Sequence, residues 1–174
     1  MSGRHLTLLL FALAGHIDSV SAGTDEHALK VAYLYNFIQF TQWPAMPPDQ
    51  PFQLCVLGTT PLDAALDGLE GKPVLNGLRI KVRHVGAKEV DTCHALYIDD
   101  SQRKLADEVL GRLSNAPVLT VTDSDGLADR GLMIEIRKRD LKLGFEVNLS
   151  QAKRAKLGFS SRMLKLAIYV SESR

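Results

Sequence analysis

The chain is poor in the residues on which chemistry usually rests. It holds two cysteines, Cys55 and Cys93, and of its five histidines only His27, His84 and His94 lie beyond the first 22 residues. No H-E-x-x-H pair and no cysteine pair at zinc spacing occurs, which excludes the familiar zinc centres. G-x-S-x-G is absent, and with it the nucleophile elbow of an α/β hydrolase. No glycine-rich loop comes after a strand-like run, so nucleotide phosphates have no cradle. Net charge is nearly absent as well: 21 Lys+Arg stand against 20 Asp+Glu, and the overall balance names no partner. Beyond the first segment no apolar run is long enough to span a membrane, and there are no internal repeats or low-complexity tracts.

What is present begins with a leader. MSGRHLTLLLFALAGHIDSVSA has a basic start at Arg4 and His5, an apolar core from Leu6 to Ala14, and small residues Val20, Ser21 and Ala22 ahead of Gly23. That is the layout of a secretory signal peptide cleaved after Ala22, with a core too short to anchor in a bilayer. The expected organisation is a signal peptide over 1–22 and a single domain over 23–174, long enough for one sizeable core and too short for two. In an oxidising compartment an even pair of cysteines reads as one disulfide; the alternative is two separate buried thiols.

Residues 26–42 form an unbroken run of helix-compatible residues. At helical spacing Leu29, Ala32, Tyr33, Asn36, Phe37 and Phe40 share one stripe, and Val31, Leu34, Tyr35 and Ile38 another. A helix apolar on two sides is expected to be buried on both, with Asn36 tying down neighbouring backbone groups and Trp43-Pro44 fixing the exit of the chain. The alternative gives one stripe to a partner.

Runs 52–58, 95–98 and 117–122 are of the buried-strand type. Residues 78–85 alternate strictly, as a sheet edge does, and make His84 an interior or rim histidine. A short helix opens at Thr60-Pro61, and Ser101 is placed to cap a helix with the stripe Leu105, Ala106, Val109, Leu110 and Leu113. This alternation predicts a mostly parallel sheet with helices on its faces. The rhythm then changes: 132–137 and 141–149 read as an antiparallel ribbon, with Leu141, Leu143, Phe145, Val147 and Leu149 inward and Lys142, Glu146 and Asn148 outward. A basic helix over 150–157, a stop at Gly158 and a last helix from Ser160 or Ser161 containing Met163, Leu164, Ala167 and Val170 complete the chain. The expected fold class is therefore α/β, a three-layer sandwich with a mostly parallel central sheet, a C-terminal antiparallel β-ribbon and helices on both faces.

One acidic constellation stands out, Asp99-Asp100 and Asp123-Ser124-Asp125-Gly126. Both groups belong at the carboxyl edge of a parallel sheet, where such folds bind ligands. They are read as turn and helix-cap residues. With no catalytic set assembled, the chain is not expected to be an enzyme or to hold a cofactor or metal. Its last third is basic, from Arg130 to Lys165, which suits an anionic partner or a solvated face.

Read in order, YLYNFIQFTQWP, CVLG at Cys55, CHALYI at Cys93, PVLTVTD at Pro117, GLMIEI at Gly131 and FEVNLSQAKRAKLGFSSRMLKLA from Phe145 to Ala167 resemble the YfiR family across nearly the whole of 23–174. The resemblance implies an exported regulator in the periplasm of a Gram-negative bacterium. Such a regulator binds and represses the periplasmic sensory region of an inner-membrane diguanylate cyclase, lowering cyclic-di-GMP and biofilm formation. It also implies a homodimer and sequestration by an OmpA-like peptidoglycan-binding lipoprotein, with no nucleic acid and no membrane insertion. Cys55 and Cys93 match the family's retained pair. Some relatives carry a second pair in the region that here runs over 125–136, and this chain has none, so redox control through a second bridge does not carry over. The residues expected to form a polar partner-binding surface are Glu135, Arg137, Lys142 and Glu146 on the ribbon, with Lys153, Arg154 and Lys156 beyond it. A small-ligand sensor feeding another membrane signalling protein is the alternative.

Overall fold

The computed structural model describes residues 22–172, apart from 45, 48 and 141. The signal peptide expected over 1–22, all but Ala22, and the inward placement of Leu141 lie outside the described residues. The first helix, α1 (Ala22–Phe40), leads into β1 (Thr41–Gln42). It stops two residues sooner than the sequence suggests because the Thr41 hydroxyl donates back to the Phe37 carbonyl at 2.7 Å, and Trp43-Pro44 needs an extended approach. Next come β2 (Phe52–Leu57), the short α2 (Asp63–Asp67), β3 (Pro73–Val74), β4 (Leu78–Val85) and β5 (Ala95–Ile98). Beyond them lie α3 (Ala106–Leu113), β6 (Leu119–Thr122), β7 (Ile134–Arg139), β8 (Lys142–Asn148) and α4 (Leu149–Arg154). The chain closes with β9 (Gly158–Phe159), α5 (Ser161–Leu164) and β10 (Tyr169–Ser171).

Eight strands make one sheet in the order β10-β8-β7-β6-β5-β2-β4-β3, and β1 pairs with β9 in a separate antiparallel sheet of two strands. Strands β4, β2, β5, β6 and β7 run parallel, whereas β7 and β8 form the antiparallel ribbon. This is the α/β arrangement that the alternation of apolar runs predicts.

Period-two alternation divides the core between the two faces. Phe52, Leu54 and Val56 of β2 and Ala95 and Tyr97 of β5 meet Val31, Leu34, Phe37 and Ile38 of α1 in the larger core, which continues under the ribbon through Ile134, Ile136, Phe145 and Val147. Cys55, Leu57, Leu96 and Ile98 point the other way and meet Ala106, Val109 and Leu113 of α3. This second core contains no residue of β7 or β8. The ribbon is thus covered by α1 on one face, while the second core does not extend over the other.

The structure corrects four expectations. Helix α1 buries one stripe only: Leu29, Ala32 and Asn36 face outward, and Asn36 is exposed, not tied into the interior. Asp99, and not Ser101, caps the turn that leads into α3, its carboxylate accepting the Ser101 amide at 3.0 Å. Asn148 is buried, not outward, because its Oδ1 caps α4 by accepting the Gln151 amide at 3.0 Å while its Nδ2 donates to the Ala128 carbonyl. The last helix is a single turn. After Met163 enters the core, the chain extends into β10 and pairs in parallel with β8, Val170 opposite Val147. There a β-branched and aromatic run, Ile168-Tyr169-Val170, finds a strand to pair with, and that pairing overrides a helical spacing.

Candidate functional site

Parallel strands end together, so the loops that leave β5 and β6 are brought to one edge of the sheet. Asp99 accepts the Thr60 hydroxyl at 3.0 Å as well as its cap amide, and so acts as a structural fastener. Asp100 accepts from Arg103 at 3.2 Å and from the Ser124 hydroxyl. The Ser124 bond first, and then Arg103, hold the Asp100 carboxyl below the usual range. The same Arg103 guanidinium donates to Ser124 Oγ and to the Asp125 carbonyl, which joins the β5 and β6 loops.

Lysine 30 reaches this edge from α1. Its Nζ lies 2.8 Å from Asp123 Oδ2 and 3.2 Å from Glu26, one turn earlier. Burial works to lower the Lys30 pKa, but the two carboxylates outweigh it and hold it above the ordinary value. The other Asp123 oxygen, Oδ1, is buried with no hydrogen-bond partner among the described residues, and so is the Tyr97 hydroxyl. Burial first, and then the neighbouring Asp123 carboxylate, push the Tyr97 phenol far above the usual tyrosine range. Lys30, Asp100, Arg103, Asp123, Asp125 and Lys138 line a cavity of about 500 Å³ with charges of both signs. Among the described residues no group of His, Cys, Asp and Glu is arranged to hold a metal ion.

The ribbon extends this edge. Thr122 stands opposite Glu135, and β7 continues four residues further, to Arg139. On its open face Glu135 is wholly buried, because its carboxylate accepts the Gly126 and Ala128 amides at 3.0 and 2.9 Å and Arg137 at 3.0 Å. Arg137 also lies 3.5 Å from Glu146. Glu135 therefore clamps the 124–131 loop to the ribbon, and among the expected surface residues it is the one that cannot touch a partner directly. Arg137 and Glu146 are part-buried, and Lys142 is exposed at the ribbon tip.

Lys153, Arg154 and Lys156 are exposed, but they lie past the far end of β8, roughly 20 Å from Lys142 at about 3.3 Å per strand residue. The seven expected residues thus divide into a ribbon group and an α4 group. Sequence reasoning missed Lys30, Arg103 and Asn148. The Glu26-x-x-x-Lys30 spacing and the Asn-x-x-Gln cap after an alternating run were their available signals.

At the amino edge of the sheet Cys55 and Cys93 are joined in a disulfide, with Cα atoms 5.8 Å apart. Next to it, His94 Nδ1 accepts the Gln53 amide at 2.8 Å, and burial lowers the His94 pKa. His84, in contrast, is exposed and bonds the Gly58 carbonyl at 2.9 Å.

The YfiR/HmsC-like family matches residues 27–168, a span that holds every strand from β1 to β9. The chain belongs to that family. Among solved structures it is similar to an ABC domain from Streptococcus pneumonia in complex with L-Trp, at 11% identity and a TM-score of 0.50. That match covers 69% of this chain and 55% of the other, so this chain corresponds to about half of it, and at such identity the likeness is one of fold. No helix among the described residues is long and apolar enough to cross a membrane.

Proposed function

We propose that this family member works by binding, as an exported periplasmic regulator that holds the sensory region of an inner-membrane diguanylate cyclase inactive and so lowers cyclic-di-GMP and biofilm formation. The observation that carries the reading is the family match over residues 27–168. Supporting it is a ribbon whose polar face, with Arg137, Lys142 and Glu146, has no helix of the second core above it. In this reading the ribbon group meets the cyclase, while Lys153, Arg154 and Lys156 form a second surface for an OmpA-like peptidoglycan-binding lipoprotein or for the other copy in a homodimer. The test is co-purification of the mature chain with a cyclase periplasmic region, together with cyclic-di-GMP in a deletion strain. A stable complex and a raised level support the reading, and an unchanged level sinks it.

A second reading is favoured by the cavity at the carboxyl edge. About 500 Å³ lined by both signs of charge suits a small zwitterion, and a module that binds one would feed another membrane sensor. A thermal-shift screen with amino acids, nucleotides and cell-wall fragments separates the two, since a ligand of the folded state raises its melting temperature.

A further inference from the structure

The two edges of the large sheet are guarded differently. At one lies β3, two residues long and opened by Pro73, whose carbonyl accepts the Tyr35 hydroxyl at 2.7 Å. Shortness and proline both discourage the addition of another strand. At the other edge lies β10, which has no proline and, among the described residues, no strand on its outer side. Of the four large hydrophobic side chains exposed among the described residues, three cluster here: Leu166 at 70%, Ile168 at 43% and Tyr169 at 59%.

The main chain of this edge is also open. Ile168 donates its amide to the Phe145 carbonyl at 2.8 Å, and Tyr169 stands opposite Glu146. Alternation along the strand then turns the N–H and C=O groups of Tyr169 and Ser171 outward. Charge indicates what fits beside them. At the ribbon tip Arg139 stands opposite Lys142 but already has Glu146 3.9 Å away, which leaves Lys142 as the exposed cation there, and exposed Lys165 precedes Leu166. Lys142 and Lys165 are thus exposed cations near this edge, and an anionic neighbour complements them.

We propose that the β10 edge docks an extended acidic segment of a partner protein as an added strand. Its carboxylates face Lys142 and Lys165, and its apolar side chains cover Leu166, Ile168 and Tyr169. This rests on the binding reading above and names the surface that performs it.

The test titrates a fluorescein-labelled eight-residue peptide of alternating Val and Glu into the mature chain, with a Val and Lys peptide as control. Binding at least tenfold tighter for the acidic peptide is expected. Tyr169→Pro removes one outward amide and leaves the β8 ladder whole, and Lys142→Glu reverses the charge; each is expected to weaken binding at least tenfold with unchanged melting. If Tyr169→Pro lowers the melting temperature, Leu166→Glu at the most exposed side chain takes its place. Equal binding of the two peptides, or undiminished binding by the variants, overturns the proposal. So does sedimentation that finds a wild-type dimer and a Tyr169→Pro monomer without peptide binding, since the occupant is then a second copy. A cyclase region that binds wild type and Tyr169→Pro alike removes the edge and keeps the regulator, whereas peptide binding without cyclase binding keeps the edge and removes the regulator.

Discussion

The two halves of the sheet obey different rules. The half built on β2, β5 and β6 is covered on both faces and stapled at its amino edge by Cys55–Cys93. The half formed by β7, β8 and β10 is covered by α1 on one face, where the rings of Phe37 and Phe145 meet edge-on at 4.8 Å, and carries ions on the other. Burial makes the first half a scaffold. The open face of the second leaves groups free to meet another molecule, at the cost of replacing hydrophobic cover with a buried carboxylate and its partners.

The sharpest way to break the comparison is to remove the staple. Its sequence separation is 38 residues, and closing a loop of that size stabilises the fold by about 4 kcal/mol in the chain-entropy model, within an observed range of about 0–5. Cys55→Ala/Cys93→Ala is therefore expected to lower the urea midpoint strongly while the β10 edge still takes the acidic peptide below the transition. Loss of peptide binding in the folded variant would show that the halves are not separable.

Next in size is Glu135→Ala. It deprives the Gly126 and Ala128 amides of their acceptor and Arg137 of one carboxylate, though Arg137 keeps Glu146 and partial access to water. A loss of about 2–3 kcal/mol is expected. Faster amide exchange is expected over 124–131, with β2 and β5 unaffected at low denaturant. Uniform exchange changes would place Glu135 in the scaffold and not in the ribbon.

The difference between the halves also governs what could be read from sequence. Continuous apolar runs mark β2, β5 and β6 because both of their faces are buried, and alternation marks the ribbon because only one face is. Periodicity says which residues share a face but not what covers it. Glu135 shares its face of the ribbon with Arg137, as alternation implies, yet only the fold brings the 124–131 loop over it. Helix α1 looked apolar on two sides because Leu29 and Ala32 lie on its solvent face, and nothing in the local pattern marks that face as exposed. β10 was hidden because Met163, Leu164, Ala167 and Val170 also fit a helix, and pairing with β8 decides between the two. The site was legible in part: Asp99, Asp100, Asp123 and Asp125 do gather at the carboxyl edge, but Lys30 comes from a helix 93 residues earlier than its Asp123 partner.

A smaller effect concerns pH and belongs to the scaffold alone. Part-buried His94 has a pKa below the unfolded value of 6.5, so the unfolded chain takes up the proton first. Stability is full above 6.5 and falls as pH drops below it, until the folded imidazole titrates as well. The Gln53 amide then faces an N–H in place of a lone pair. Melting curves between pH 7.5 and 5 are expected to show this decline, and His94→Asn, whose Oδ1 can take the place of Nδ1 as acceptor, is expected to flatten it. An equal slope in the variant would assign the decline to other groups.

The smallest expected effect is at the join between α1 and the ribbon. Lys138 pairs with Glu26, which Lys30 also contacts, and the Lys138 bond is the first cause of a lowered Glu26 pKa. Lys138 is 53% exposed, however, so water and salt screen the pair. Lys138→Met is expected to cost less than about 1 kcal/mol, and less still in 0.5 M salt. Lys30→Met removes a cation that is only 16% exposed and leaves Asp123 buried without its ion partner, so the larger loss is expected there and little salt dependence. Comparable losses in the two variants would mean that exposed ions hold the ribbon to α1, whereas the rings of Tyr33, Phe37 and Phe145 place that job in the apolar contact beneath them.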